Sequence, residues 1–139
     1  MPVTDTQPIS QLPWQVSSEE FMRAAAEISE GGACCMFVID SSIPTSARSG
    51  YAALVIAYAR ADEPVCILEG GAAALLVRSG GVASAETVAR RVFAQMRRLS
   101  LDSTLRAGVV ALGQDPAATL SAARAAAEAA PAGEVHTSA

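Results

Sequence analysis

The chain contains no lysine: its ten basic residues are all arginine, set against fourteen acidic ones, for a formal net charge of -4. Nucleic-acid binders generally show a basic excess, so this balance argues against that class. Histidine is almost as scarce, with only His136 near the end of the 139 residues. A lone imidazole there excludes most Ser/His/Asp, Cys/His and His-based zinc mechanisms. Enzymatic chemistry would have to run on carboxylates, arginines or backbone groups. Cys34, Cys35 and Cys66 cannot all pair within one chain, and they lack metal-ligand spacing of the CxxC kind. They are expected to be reduced, buried thiols of a cytoplasmic protein. No apolar run approaches the roughly 18 residues that span a bilayer, so membrane insertion is not expected. The polar start, Met1 to Ser18, is not expected to be a secretory signal.

Apolar residues make up 51% of the chain and charged residues 17%, enough for one globular core and too apolar for a disordered chain. Residues 1–16 read as a flexible arm, 17–133 as a single domain and 134–139 as a polar tail. Ser17 with Glu20 forms a capping box for a first helix to about Glu30, with Phe21, Ala24, Ala25 and Ile28 on one face. Ala33 to Asp40 is a continuous apolar run suited to a strand buried on both faces. A second helix from about Ala47 to Ala61 carries Tyr51, Leu54, Val55 and Tyr58 at helical spacing. Two short apolar runs, 65–68 and 74–77, flank Gly70-Gly71, a hairpin signal. Ser84 is expected to cap a third helix to about Leu99, with Val88, Val92, Met96 and Leu99 inward. A strand follows over 105–112. Asp115-Pro116 then starts an alanine-rich helix that ends near Ala130. The fold class is α+β: a βαββαβ core of the ferredoxin-like or palm kind, with an antiparallel sheet and helices on one face. A helix precedes this core, and the alanine-rich helix closes it.

With the segments Ile9–Pro13, Phe37–Asp40, Glu69–Ala74, Arg106–Val110 and Ala123–Pro131 in this order, the chain from about Ile9 to Val135 resembles a shortened, degenerate GGDEF domain, the palm domain of diguanylate cyclases. Ile9-Ser10-Gln11-Leu12-Pro13 is similar to the family's LTGLP turn, with Trp14 where Asn is usual. Phe37-Val38-Ile39-Asp40 resembles the first strand, which ends in a metal-binding Asp. Glu69-Gly70-Gly71-Ala72-Ala73-Ala74 lies where the signature hairpin should be. Arg106-Ala107-Gly108-Val109-Val110 resembles the SIGV strand, and Ala123 to Pro131 takes the place of the ADxALYxAK helix.

The departures bear on chemistry. In the family, the first-strand Asp and the Glu of GGDEF hold divalent metal against a nucleoside triphosphate. Here Ala72 and Ala73 stand at the signature Asp and Glu positions, which leaves Asp40 alone. One carboxylate makes a poor magnesium site for phosphoryl transfer. The segment that carries FKxxND in the family is cut to Ser41–Ser46, without Lys or Asn. Pro131 replaces the closing lysine, and Arg60-Ala61-Asp62-Glu63 only approximates the inhibitory RxxD. The resemblance therefore implies a domain without cyclase activity, catalytic residues, metal or cofactor, in which Asp40, Gly70 and Gly71 are vestiges of the signature.

Each remaining candidate has a functional and a structural reading. Asp40 is either a leftover ligand or a carboxylate capping the loop after Ile39. Gly70-Gly71 is either a backbone phosphate cradle or a tight turn. Arg90, Arg91, Arg97 and Arg98 share about a third of one helix circumference, as a stripe for an acidic partner or as a solvated face with a Glu86–Arg90 pair. Cys34 and Cys35, on opposite faces of one strand, could form a redox switch with Cys66 if its strand adjoins theirs, or all three serve as small apolar groups. Trp14 could anchor a partner or fold back on the domain. Ala53, Ile56 and Ala57, opposite Tyr51 and Leu54, and the alanines of the final helix form smooth faces suited to contact with another chain. The expected function is a bacterial, cytoplasmic protein-interaction or regulatory module in signalling, with a homodimer or another protein as partner. Nucleotide binding is not expected. The alternative is a non-catalytic sensor of a guanine nucleotide or cyclic di-GMP.

Overall fold

Ser17 opens α1 (Ser18–Ala26): its side chain accepts from Glu20 N–H while the Glu20 carboxylate accepts from Ser17 N–H. The computed structural model describes residues 16–28, 31–59, 65–68, 72–78 and 80–138. The arm to residue 15, with Trp14, and the segment 60–64 lie outside them. The first helix stops short of Glu30 because Glu27 and Ile28 donate to Ala24 and Ala25, a tightened final turn.

The apolar run becomes β1 (Ala33–Ile39), buried at its first five positions. Then come α2 (Thr45–Ala59), β2 (Val65–Ile67), β3 (Ala73–Val77) and α3 (Gly81–Arg98). Ser84 does not cap α3. Gly80 and Gly81 adopt φ of 86° and 60°, a region open to glycine, so the chain turns into the helix four residues earlier than expected, with Gly80 at the cap. Leu99 falls beyond the helix end and is 48% exposed, while Phe93 takes an inward place. A short turn over Asp102–Thr104 leads into β4 (Leu105–Ala111), and Asp115 caps α4 (Pro116–Ala129) through Ala117 N–H.

The sheet order is β2-β3-β1-β4-β5, antiparallel throughout except for the last pair. The fifth strand, β5 (Val135–Thr137), lies in the segment expected to be a polar tail. It runs parallel to β4, pairing Gly108 with His136. Thr137 Oγ1 donates to the Glu86 carboxylate on α3, tying this edge to the domain.

The two helices of the βαββαβ core, α2 and α3, share one face of the sheet as expected, and the helices outside that core, α1 and α4, cover the other. On one side α2 and α3 pack Val55, Val92, Phe93 and Met96 against Cys35, Phe37, Leu75 and Val109. The Phe37 and Phe93 rings meet at 5.9 Å. On the other, α1 and α4 place Phe21, Ala25, Ala123 and Ala127 on Cys34, Met36, Leu76 and Val110. Alternation along β1 feeds the two cores in turn.

Candidate functional site

The candidate site grows from the carboxyl end of β1. Asp40 N–H donates to Thr104 O at 2.8 Å, and Asp40 O accepts from Ile43 N–H at 3.0 Å. The Asp40 carboxylate accepts from Ser42 N–H at 3.0 Å and from the Ser42 hydroxyl. These Ser42 bonds hold its pKa below the usual carboxylate value, helped by the Arg106 and Arg48 charges. Asp40 thus shapes the turn that carries the chain from β1 into α2. Arg48, on the first turns of α2, donates to Ile43 O at 3.0 Å and Ser41 O at 3.3 Å, bracing the same turn.

Ala72 and Ala73, which the sequence reading sets at the signature carboxylate positions, are 2% and 1% exposed. Ala73 pairs with Phe37 on β1 and enters the α2/α3 core, while Ala72 faces the α1/α4 core. Among the described residues no group of three His, Cys, Asp or Glu side chains comes together. Asp40, its carboxylate engaged by Ser42, and two alanines do not fit a divalent metal, which needs several oxygen ligands. Gly70 and Gly71 lie outside the described residues.

A pocket of about 240 Å³ opens beside Asp40, lined also by Val38, Ile39, Ala72, Arg48, Arg106, Arg124 and Glu128. Three arginines, from α2, β4 and α4, line it. The sequence reading missed this convergence. Its one available signal was Arg124, which stands where the ADxALYxAK pattern has Asp.

Of the arginines singled out earlier, Arg90 and Arg97 line a separate pocket with Phe93, Gly133, Glu134 and Val135. Arg90 is paired with Glu86 at 3.4 Å and Arg97 with Asp102 at 3.6 Å, both largely exposed, while Arg98 is exposed and Arg91 half-buried. Ala53 and Ala57 are exposed on α2; the side chain of Ile56 lies outside the described residues. On α4 the expectation of a free alanine face holds for Ala118, Ala122, Ala125 and Ala129, but Ala126 is buried against the sheet. His136 is exposed on β5, away from the residues of the Asp40 pocket.

Cys34 and Cys66 do not adjoin. β3 lies between their strands, with Leu76 opposite Cys34 and Ala74 opposite Cys66, and Cys35 faces the other core. Burial pushes the Cys34 thiol up to about 12 and raises those of Cys35 and Cys66.

The strand order, the crossing helices and the Asp40 turn invite comparison with known structures. The FimX GGDEF domain from Pseudomonas aeruginosa superposes with a TM-score of 0.68 at 14% identity, covering 93% of this chain and 99% of that one. The fold is that of GGDEF domains. The GGDEF domain of TpbB (YfiN) from the same organism gives 0.66 at 22% identity, covering 88% and 90%. The coiled coil and GGDEF domain of DgcB from Caulobacter crescentus, in complex with cyclic di-GMP, gives 0.66 at 16% identity, covering 86% and 78%. No family model and no curated protein matches the chain. No helix among the described residues is long and apolar enough to cross a membrane.

Proposed function

We propose that this GGDEF-fold domain makes no cyclic di-GMP and serves as a protein-interaction or regulatory module in the cytoplasm of a bacterium. The observation that carries the reading is the burial of Ala72 and Ala73 where the signature carboxylates belong, together with the engagement of Asp40 by Ser42. Two-metal phosphoryl transfer depends on carboxylates that hold cations against the triphosphate. Supplying one of them would still leave the shortened Ser41–Ser46 turn, braced by Arg48, in place of the nucleotide-contacting segment.

The interaction surfaces in this reading are the exposed Ala53 and Ala57 on α2, with Ile56 beside them in sequence, and the arginine-bearing face of α3. Small, weakly charged residues let another backbone approach closely. A two-fold dimer is the simplest assembly. Affinity purification from the native cell followed by mass spectrometry tests the reading, with light scattering on the purified chain. A specific, stoichiometric partner or a dimer supports it. A monomer at high concentration that captures nothing removes it.

The second reading is a sensor that binds a guanine nucleotide or cyclic di-GMP without turning it over. It is favoured by the arginine-lined pocket beside Asp40 and by analogy with the DgcB domain held with cyclic di-GMP. Calorimetric titration with GTP and cyclic di-GMP separates the two.

A further inference from the structure

We infer, resting on the interaction-module reading, that the open edge of β5 and the groove between it and α3 bind an extended acidic segment of another protein. The segment joins the sheet as an added strand. β5 is the last strand of the sheet, with β4 on its one paired side. Glu134 O accepts from Ala107 N–H, and Ser138 N–H donates to Val109 O, so these two residues turn their backbone groups towards β4. Alternation along the strand then directs the N–H and C=O groups of Val135 and Thr137 away from β4, to the outside of the sheet. Such an edge is a template for a further strand. Thr137 Oγ1, which donates to the Glu86 carboxylate, holds that edge in place against α3.

The groove beside the edge measures about 410 Å³ and is lined by Arg90, Phe93 and Arg97 of α3 with Gly133, Glu134 and Val135. Phe93 and Val135 supply its apolar part, both packed on the α2/α3 core. Arg90 and Arg97 are exposed and stand seven residues apart, about 10 Å along the helix. Their pairs with Glu86 and Asp102 lie at 3.4 and 3.6 Å on the surface, where such pairs contribute little. Each guanidinium has further N–H donors to offer an incoming carboxylate. Glu134 is the acidic residue of the lining, which leaves an excess of one positive charge there.

Charge selects the occupant. A second copy joined β5 to β5 would be related by a two-fold axis normal to the sheet, which sets Arg90 and Arg97 of one α3 beside the same arginines of the other. An acidic segment meets no such conflict. On an added strand the side chains of one face recur about every 6.8 Å. Carboxylates at alternate positions therefore reach the two arginines. The side chains between them fall on the opposite face, beside His136, and need no charge.

The test is fluorescence anisotropy of a labelled peptide of alternating glutamate and valine, titrated with the full chain at about 0.15 M salt. A lysine–valine peptide is the control, and amide hydrogen exchange on the complex is followed by NMR. Saturable binding of the acidic peptide alone, with slowed exchange at the Val135 and Thr137 amides, supports the proposal. Val135→Pro removes an outward N–H without touching the bonds to β4 and should weaken binding about ten-fold or more. Arg97→Glu should do the same with an unchanged circular dichroism spectrum, whereas Arg98→Glu, outside the groove, should matter far less. Should Val135→Pro fail to fold, Arg97→Glu and the exchange rates decide. Absence of saturable binding overturns the proposal, as does equal binding of the lysine peptide or unchanged exchange at both amides. So does affinity unchanged in both Val135→Pro and Arg97→Glu. A partner captured from the native cell that binds both variants as well as the parent overturns the edge site and leaves the module reading standing.

Discussion

Gly108 on β4 lies directly under the backbone of Ala127 on α4: a Cβ at Gly108 would sit 2.3 Å from Ala127 N and 2.5 Å from Ala123 O. The inner alanines of α4, Ala123, Ala126 and Ala127, are buried around this contact. Much of the helix's alanine content therefore serves close approach to its own sheet, and only the outer row stays available to another chain. Gly108→Ala should force α4 off the sheet and cost about 1–3 kcal/mol, as overpacking does. Gly113→Ala is the control, since its Cβ would meet Thr119 Oγ1 at an ordinary 3.6 Å. Thermal melts should show a drop of several degrees for the first and little change for the second.

Leu54 is half-buried and packs against the α2/α3 core beside the fully buried Val55. Leu54→Asp should destabilise the domain by at least about 2 kcal/mol, because an unpaired charge would face apolar neighbours. Arg97→Ala removes an exposed pair with Asp102 and should cost no more than about 1 kcal/mol. Chemical denaturation of both variants checks this. Equal midpoints for Leu54→Asp and the parent would show that α2 is phased differently.

How much of this was legible in the sequence depended on the strength of local signals. The run from Ala33 to Ile39 and the Asp115-Pro116 start both mark their elements in place. β5 was illegible because Val135–Thr137 has one apolar residue, and its pairing with β4 is set by a contact across the chain. The first and last helices were legible as helices, but the sheet face they cover was not, because the alanine face of α4 carries little hydrophobic contrast. Arg90, Arg91, Arg97 and Arg98 drew attention as close neighbours along one helix. Arg48, Arg106 and Arg124 stand far apart in the chain, and only the folded sheet brings them to one pocket.

The thiols give a pH signature. The Cys34 pKa is raised by burial from 9.0 to about 12, so above pH 9 the unfolded chain loses a proton that the native state retains. Stability is constant in this respect below pH 9 and falls as pH rises from there towards 12. Cys34→Ala should show a shallower decline than the parent between pH 9 and 11 in denaturant melts. Native protein at pH 8 should also leave Cys34 and Cys35 unmodified by iodoacetamide, since both are buried as thiols.

The most direct measurement is chromatographic analysis of the full chain incubated with GTP and magnesium. On the proposed reading, in which the buried Ala72 and Ala73 stand in for metal-holding carboxylates, no cyclic di-GMP should form, and Ala73→Glu alone should not restore it. Cyclic di-GMP produced by the unmodified chain would contradict the account.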